Sequence, residues 1–452
     1  MLFNISNFSM VKQATIEIGS LSVIAGKNNC GKSSIGKLIF SLIIAISRYD
    51  ETLREGKEER IKEGIRAISG STRKFGYWHN MPRNELELLF EKLDLRNLSY
   101  DIREHGMEAI GSRRQTINNI QNTTPQILKF AETIDKQLQA LEDIFVDEES
   151  LEELLDRTLS KVFYSEFWAE VEKNDYLNTD STFSIKNKQD EEHIITITIN
   201  KGKFKIECGE HINSIEELRA AIPFRDACLV ESPFVLNVQD SIFVSNTVFE
   251  SSSNTIQSFA RAVVPLHMID LIRKLRARKY PQLEAHSERD SLNFRGIIDG
   301  EIKYDDRERD FIYITNTNQQ HRVLNTASGI KAFGILQVLT DLDFLSYDTL
   351  LILDEPEVHL HPEWQVKYAE ILCKIIKQFA TPVLVTTHSP YMFEALELYS
   401  KQEKISPKLY CAKKIDKDIV EFQDVEGDTS VIYKDLLQPL EDLDMLRYRL
   451  GE

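Results

Sequence analysis

One glycine-rich segment constrains the fold of this chain more than any other feature. It occupies residues 26–33, reads GKNNCGKS and matches the pattern G-x-x-x-x-G-K-[ST]. The apolar, β-branched run at residues 21–25 predicts a strand before it, and apolar residues at helical spacing predict a helix after it. A strand, a glycine loop and a helix in this order present backbone N–H groups and a helix N-terminus to phosphate oxygens.

We therefore expect this loop, called the P-loop below, to hold a nucleoside triphosphate. Lys32 would reach the β- and γ-phosphates, and the Ser33 hydroxyl would ligate Mg²⁺, so ATP and Mg²⁺ are the expected cofactors. The alternative is a glycine-rich turn without a ligand. The residues expected to contact the nucleotide here are Gly26, Asn28, Asn29, Gly31, Lys32, Ser33 and Ser34.

A second acidic motif follows an apolar strand predicted at residues 350–353. An acid at the carboxyl end of a buried strand faces the phosphate site, where Asp354 can hold Mg²⁺ directly or through water. The neighbouring Glu355 can deprotonate the attacking water as a general base. Taken alone, the motif could also be a strand that ends in a solvated acidic turn.

Two further motifs lie where a nucleotide site would need them. His388 follows the strand predicted at residues 382–386 and could sense the γ-phosphate or the attacking water, although a lone histidine at a strand end is usually structural. Ser328 and Gly329 open another predicted helix, whose bare N–H groups form a second phosphate-binding surface. A simple helix N-cap is the alternative for this pair.

The pattern along the chain predicts an α/β fold, a mixed sheet with a P-loop, interrupted by a mainly helical insertion. Alternation at residues 193–199 and 204–207 predicts a hairpin, and residues 258–279 are predicted to form a helix. The α/β part of the chain is called the head below. The expected domains are 1–47, the N-terminal part of the head; 48–181, the helical insertion; 182–400, the remainder of the head; and 401–452, an acidic C-terminal extension of the head.

Composition limits the partners and the compartment. The chain has 55 Lys and Arg against 72 Asp and Glu, a net charge of −17, so any contact with nucleic acid needs a local basic patch. The best candidate is the segment 273–279, for which a solvated helix face is the alternative. The basic residues of that segment are Arg273, Lys274, Arg276, Arg278 and Lys279.

Five scattered cysteines and the absence of a long apolar run or a signal peptide predict a cytoplasmic protein without membrane contact.

The order of these motifs resembles that of ABC-type ATPase heads. The segment 354–362, DEPEVHLHP, is similar to the branch that holds RecF-like, SMC-like and overcoming-lysogenization-defect (OLD) ATPases, and the openings at residues 5–8 and 16–19 are similar to it as well. The resemblance covers residues 1–47 and 182–400. With about 50 residues after Tyr399, too few for a TOPRIM domain, the chain resembles the stand-alone ATPase subunits of bacterial anti-phage systems of the Septu or PARIS type.

The resemblance implies a homodimer of heads, with higher oligomers left open, in which Ser328 and Gly329 of one subunit contact the γ-phosphate held by Lys32 of the other. Glu357, His361 and Pro362 would lie in a loop that crosses this interface. His359 and His361 could instead form a metal pair, but no third ligand is apparent. No glutamine follows the signature glycine, which is a departure from the transporter pattern, and residues 231–233 are the guess for the Q-loop.

The resemblance also implies a separate nuclease partner, HNH in the Septu type and TOPRIM-like in the PARIS type. The sequence itself contains no second catalytic constellation, neither a Ser-His-Asp arrangement nor a zinc cluster. The expected function is therefore a slow, regulatory ATPase that controls a nuclease effector in anti-phage defence. The alternative is a DNA-binding ATPase of the RecF or SMC class in repair or chromosome maintenance, and a transporter ATPase is a third option.

Overall fold

Eleven strands form one mixed sheet in the computed structural model of this chain. In sheet order they are β6 (Lys203–Cys208), β5 (His193–Asn200), β4 (Ser181–Lys186), β1 (Leu2–Phe8), β2 (Val11–Glu17), β14 (Ile419–Asp424), β13 (Pro407–Asp416), β3 (Leu21–Ala25), β12 (Val383–Thr387), β11 (Thr349–Asp354) and β7 (Asp226–Val230). A separate sheet has the order β10 (Gln320–Arg322), β9 (Asp310–Thr315), β8 (Gly300–Asp305). The structure describes residues 1–48, 57–58, 60–71, 91–120, 125–146, 150–167, 180–188, 192–200, 203–242, 264–278, 292–416 and 419–450.

The α-helices of the described residues belong to both parts of the chain. In chain order they are α1 (Lys32–Ser47), α2 (Leu98–His105), α3 (Met107–Asn118), α4 (Pro125–Val146), α5 (Leu151–Phe167), α6 (Ile215–Ala221), α7 (Leu266–Leu275), α8 (Phe294–Ile298), α9 (Ser328–Asp341), α10 (Pro362–Phe379), α11 (Pro390–Gln402) and α12 (Ser430–Leu450). The expected α/β class with a mixed sheet and helical stretches is confirmed.

The parallel strands place the sequence motifs at one edge of the sheet. β7, β11, β12, β3 and β13 run parallel, and every residue of β3, β11 and β12 is buried, as their continuous apolar runs require. Ala25 pairs with Thr387, and Asp354 pairs with Thr386. The carboxyl ends of β3, β11 and β12 therefore lie side by side, so the P-loop, the acidic motif and His388 meet there.

The C-terminal part of the chain contributes to the middle of the large sheet. β13 pairs with β3 in parallel, Pro407 with Leu21 and Cys411 with Ala25, and β14 continues to β2. Residues 407–424, which the sequence analysis assigned to an acidic extension, thus link the parallel half of the sheet to its antiparallel half. Leu409 and Cys411 of β13 belong to the same core cluster as Leu21, Val23 and Ala25 of the strand that leads into the P-loop.

The chain divides into two units, residues 1–47 with 155–452 and residues 48–154. The second unit has its own core around Phe130, Ile134 and Leu138 of α4. Most of α5 belongs to the first unit, although the expected insertion extended to residue 181. The reason is that Phe163 of α5 packs on the antiparallel strands, its ring 5.3 Å from Phe204 and 6.2 Å from Phe183.

The predicted hairpin is present in the structure, whereas the helix predicted at 258–279 is shorter than expected. The hairpin is confirmed, since β5 and β6 pair antiparallel from Ile195–Cys208 to Asn200–Lys203. The helix predicted at 258–279 is wrong in its bounds, because α7 begins at Leu266 after Pro265 and ends at Leu275. Residues 258–263 and 279 lie outside the described residues. No helix in the described part of the chain has both the length and the apolar character to cross a membrane.

Candidate functional site

The P-loop connects β3 to α1 through a backbone that only small residues permit. Gly26 donates its N–H to the Thr387 carbonyl (3.2 Å), and a Cβ at this position would lie 2.6 Å from the Ala412 carbonyl oxygen. Gly31 has a φ of +68°, a left-handed conformation that favours glycine. The loop is therefore held against the carboxyl ends of β12 and β13, and α1 starts directly at Lys32.

The amine of Lys32 is the central charge of the site. The side chain is buried, and its Nζ donates to the carbonyls of Gly26 (3.0 Å) and Lys27 (2.9 Å). The same nitrogen lies 3.1 Å from Oε1 of Glu355. A buried ammonium needs such partners, because without them its desolvation would be uncompensated. All of these partners are oxygen atoms, which is also the chemistry that phosphate offers.

Asp354 ends β11 inside the protein. Its carboxylate accepts a hydrogen bond from Thr386 Oγ1 at 2.5 Å and another from the Ser33 hydroxyl. Burial raises the pKa of Asp354, opposed by these two hydrogen bonds and reinforced by the negative charges of Glu231 and Glu355. Ser33 and Asp354 thus form a pair of oxygen ligands, and a cation placed there would relieve the cost of this buried carboxyl group.

Glu355 projects between two cationic side chains. Its φ of +47° is left-handed, and its N–H is shared between the carbonyl and the hydroxyl of Thr386, both at 3.1 Å. This geometry directs the carboxylate toward Lys32 on one side and His388 Nδ1 on the other, the latter at 3.3 Å. The adjacent His388 imidazole and the charge of Lys32 lower the pKa of Glu355 to about 2, although burial opposes this.

His388 lies between two carboxylates at the end of β12. Its Nδ1 is 3.3 Å from Glu355 Oε2 and also 3.3 Å from Glu357 Oε1. The adjacent Glu355 carboxylate raises the pKa of His388, and the charge of Glu357 acts in the same direction, although burial opposes both. A third of the side chain is exposed, so the imidazole borders the open side of the site. The structure thus brings Lys32, Glu355 and His388 into one chain of charges.

Glu357 has a position that the sequence analysis did not anticipate. It was expected in a loop that crosses a subunit interface, but its side chain turns inward and is 3% exposed. Its Oε1 accepts hydrogen bonds from Thr387 Oγ1 (2.7 Å) and from the N–H groups of His388 (2.8 Å) and Ser389 (3.2 Å). Burial raises the pKa of Glu357, and these donors oppose the shift. No local pattern reveals this role, because the donors lie about 30 residues away.

The signature residues lie apart from the P-loop within one chain. Ser328 begins α9 and donates its hydroxyl to the His359 carbonyl at 3.1 Å, and a Cβ on Gly329 would lie 2.6 Å from the Trp364 ring. Neither residue forms a hydrogen bond or an ion pair with the P-loop in the described structure.

The two histidines of the 354–362 segment have structural contacts. The His359 ring stacks edge-on against Phe234, with centroids 5.1 Å apart, and His361 caps α10 by accepting the N–H of Glu363. Within the described ranges, no group of three or more His, Cys, Asp and Glu side chains could hold a metal ion. The alternative of a His359–His361 metal pair therefore gains no support.

A cavity of about 260 Å³ lies beside these residues. Ser33, Asp354 and Glu355 line one part of it, and Glu231 of the guessed Q-loop segment lines another. Glu231 follows β7 directly, so its place is fixed by the parallel register of β7 and β11. Three carboxylates line the cavity, those of Glu231, Asp354 and Glu355, together with the hydroxyl-bearing residues Ser33, Ser232 and Tyr368 and several apolar side chains.

The expected basic patch is largely neutralised by acidic neighbours, which is a correction to the sequence analysis. Lys274 is buried, with its Nζ 2.8 Å from carboxylates of Asp226 and Asp270. Arg276 lies 3.0 Å from Asp240, and Arg278 lies 3.2 Å from Asp306. One of these basic side chains is therefore buried, and the other two are paired with acidic side chains. Lys279 lies outside the described residues.

A P-loop opposite an acidic strand end is the arrangement of nucleoside triphosphatases. The model of one ATPase family, the AAA ATPase domain (AAA_15), matches residues 1–393, so the chain belongs to this family. It is 27% identical over 114 residues to the Septu protein PtuA of Bacillus thuringiensis, a match that covers 22% of this chain and only 28% of that relative. The expected ATPase class and the expected resemblance to a Septu protein are confirmed.

Solved structures with a similar course of the chain include two SMC heads. An Smc head from Pyrococcus furiosus, with an extended coiled coil and bound to the C-terminal domain of ScpA, is 10% identical with a TM-score of 0.40, covering 98% of both chains. The SMC head from Thermotoga maritima is 11% identical with a TM-score of 0.30, covering 60% of this chain and 86% of that one. Both likenesses are remote.

The Glu357 contacts predict a large loss of stability when the carboxylate is removed. Glu357→Ala leaves the buried Thr387 hydroxyl and the His388 backbone N–H without their acceptor, while the Ser389 N–H keeps Thr387 Oγ1 as an acceptor, and we expect the free energy of unfolding to fall by about 3 kcal/mol. Urea denaturation followed by circular dichroism measures this change. Glu363→Ala, at an exposed glutamate in the first turn of α10, is the control and should leave the midpoint unchanged. Equal midpoints for the two variants would contradict the assigned role of Glu357.

Proposed function

We propose that this chain binds and hydrolyses ATP at the P-loop and works as a regulatory ATPase. One observation carries the proposal, the chain of charges from Lys32 through Glu355 to His388, directly beside the Ser33–Asp354 pair. It supplies a phosphate-binding cation, a carboxylate and an imidazole within contact distance of each other. The nucleotide-binding residues we propose are Gly26, Asn28, Asn29, Gly31, Lys32, Ser33 and Ser34, with Ser328 and Gly329 from a second subunit.

The residues present fit Mg²⁺ as the cofactor. Magnesium prefers hard oxygen ligands and is usually bound by one or two protein side chains together with phosphates and water. The Ser33 hydroxyl and the buried Asp354 carboxylate offer this set, and the cavity beside them is bordered by further carboxylates. When bound, the ion would neutralise charge on the β- and γ-phosphates.

Lys32, Glu355 and His388 have different roles in the proposed hydrolysis. In the proposed complex, Lys32 exchanges its carbonyl and Glu355 partners for phosphate oxygens, which requires no new conformation of the P-loop. The released Glu355 then accepts a proton from the attacking water, and its pKa rises because Lys32 no longer stabilises its charge. His388 remains next to Glu355 and orients it. The Glu357 carboxylate accepts the backbone N–H of His388 and so fixes the position of that residue.

The proposed assembly is a homodimer of heads with two shared sites. The separation of Ser328 from the P-loop of its own chain supports this, since its helix start would serve the nucleotide of a second copy. We keep the proposed domains as a head formed by residues 1–47 and 182–400, a helical insertion at 48–181 and the region 401–452. An oligomer larger than a dimer is compatible with this arrangement.

We further propose that the ATPase controls a separate nuclease in anti-phage defence. The partial similarity to the Septu protein PtuA supports this choice over the DNA-binding alternative, and the neutralised basic segment on α7 weakens that alternative. The proposed effector is an HNH or a TOPRIM-like nuclease. Slow turnover suits such a role, because the ATP-bound state then lasts long enough to act as a signal.

Lys32→Ala should abolish nucleotide binding. The substitution removes the buried ammonium that faces the phosphates, and we expect ATP affinity to fall at least about 100-fold, as for the loss of a buried charge-assisted contact. Titration with a fluorescent ATP analogue measures the affinity. Lys12→Ala, at an exposed lysine of β2 that pairs with Glu421, is the matched control and should bind normally. Normal binding by Lys32→Ala would remove the P-loop from the proposal.

Glu355→Gln should bind ATP but not turn it over. The amide keeps the shape of the side chain and cannot take up a proton, so phosphate release is expected to fall about 100-fold or more. Trapped ATP should then stabilise the head dimer, which light scattering detects as a doubled mass that requires ATP. Glu370→Gln on α10 serves as the control. Wild-type turnover in Glu355→Gln would show that another group is the base.

The effector proposal predicts a stable complex with the product of the adjacent gene. Co-expression of the two genes, with a tag on the ATPase only, should recover both proteins, and Glu355→Gln with ATP should alter the nuclease activity of the complex. Lys32→Ala is the nucleotide-free comparison. An ATPase that never retains the neighbouring product, in either variant, would count against effector control while leaving ATP hydrolysis untouched.

A further inference from the structure

A buried histidine outside the chain of charges described above lies between two carboxylates. His267, near the start of α7, is 1% exposed, and its Nδ1 is 2.8 Å from Oε2 of Glu166. Its Nε2 is 3.0 Å from Oε2 of Glu231. The other oxygen of Glu166 accepts the backbone N–H of His267 at 2.7 Å, so this carboxylate holds both the ring and the helix start.

The geometry defines the charge of this histidine. Each ring nitrogen faces a carboxylate oxygen, and a carboxylate offers acceptors, so this geometry favours the doubly protonated, cationic imidazole. Burial opposes the positive charge, but the hydrogen bonds to Glu166 and Glu231 raise the pKa of His267. Such a group differs from a histidine that merely fills the core, because the two acids hold it in a fixed orientation.

Glu231 connects this buried cation to the cavity of the nucleotide site. Its Oε2 accepts from His267, and its Oε1 accepts from Nζ of Lys37 on α1 at 2.9 Å. The hydrogen bond from His267 and the charge of Lys37 lower the pKa of Glu231 to about 2, despite its partial burial. A permanently charged carboxylate is thus fixed at the cavity wall that Ser33 and Asp354 also line.

The same helix provides an internal comparison. Lys274, two turns after His267, is also buried and paired, but at the opposite end of β7, where its Nζ is 2.8 Å from Asp226 and donates to the Ala227 carbonyl at 2.7 Å. It also pairs with Asp270 on α7. The two buried ion pairs therefore hold the two ends of β7, and only the one at His267 lies next to the cavity.

We propose that His267 is a positioning residue for the cation–phosphate site, which holds the Glu231 carboxylate at the cavity wall and is itself held by Glu166. The fixed charge of Glu231 adds to that of Asp354 and favours a divalent cation with its triphosphate. This inference rests on the proposed ATP site and adds the residues that set its Mg²⁺ requirement. Neither Glu166 nor His267 touches the nucleotide, and both act through Glu231.

The test compares two double variants that each remove one buried ion pair from α7. His267→Leu with Glu166→Leu removes the anchor of Glu231 and leaves no buried unpaired charge from this pair. Lys274→Met with Asp270→Leu is the matched control at the far end of β7. We measure binding of a fluorescent ATP analogue at increasing Mg²⁺, and steady-state turnover, for both and for the wild type.

We expect the His267–Glu166 variant to need about tenfold more Mg²⁺ for half-saturation, because the loss of one charge-assisted contact weakens binding by about this factor. The change in kcat should be smaller. The Lys274–Asp270 control should keep the wild-type Mg²⁺ dependence even if it unfolds at a lower temperature. Should the first variant not fold, Glu231→Gln tests the same charge at the cavity wall, and it should raise the Mg²⁺ requirement as well.

Equal Mg²⁺ dependence in the His267–Glu166 variant, or in Glu231→Gln, and the wild type would overturn the inference and make His267 a purely structural residue. A wild type that binds no ATP analogue at any Mg²⁺ concentration would overturn the proposed function together with this inference. A wild type that binds, with both double variants impaired to the same extent, would overturn the inference alone.

Discussion

The contact between the Lys32 amine and the Glu355 carboxylate is the interaction on which the arrangement of the site depends. It joins the P-loop to the end of β11, although β12 lies between β3 and β11 in the sheet. The ammonium is buried, so it needs oxygen partners from the protein until phosphate supplies them. The parallel register of the three strands brings these partners within reach, because it aligns their carboxyl ends.

The acids around this contact are kept at different pKa values by their surroundings. Glu355 faces two cations, and its pKa is lowered to about 2, whereas burial raises the pKa values of Asp354 and Glu357. Groups with shifted pKa values in opposite directions are typical of sites that move protons and bind cations. Here the reason is visible in the contacts, because Asp354 and Glu357 are almost fully buried and their hydroxyl and N–H donors only oppose the effect of burial.

The sequence predicts those parts of the fold and site that depend on local pattern. Continuous apolar runs identified β3, β11 and β12, and the residues directly after them identified the P-loop and Asp354. Contacts between distant segments could not be predicted in this way. The place of β13 beside β3, the inward turn of Glu357 and the pairing of Lys274 all depend on partners tens to hundreds of residues away.

Two sets of alternating charges therefore surround the cavity. In the inner set Lys32 and His388 flank Glu355, and in the outer set the cations Lys37 and His267 flank Glu231. In the proposed complex a triphosphate would compete for Lys32 of the inner set, while the outer set would keep its partners. Binding would then release Glu355 from Lys32 and leave Glu231 fixed. The proposed general base would thus become free, while the carboxylate proposed to favour the cation would remain held.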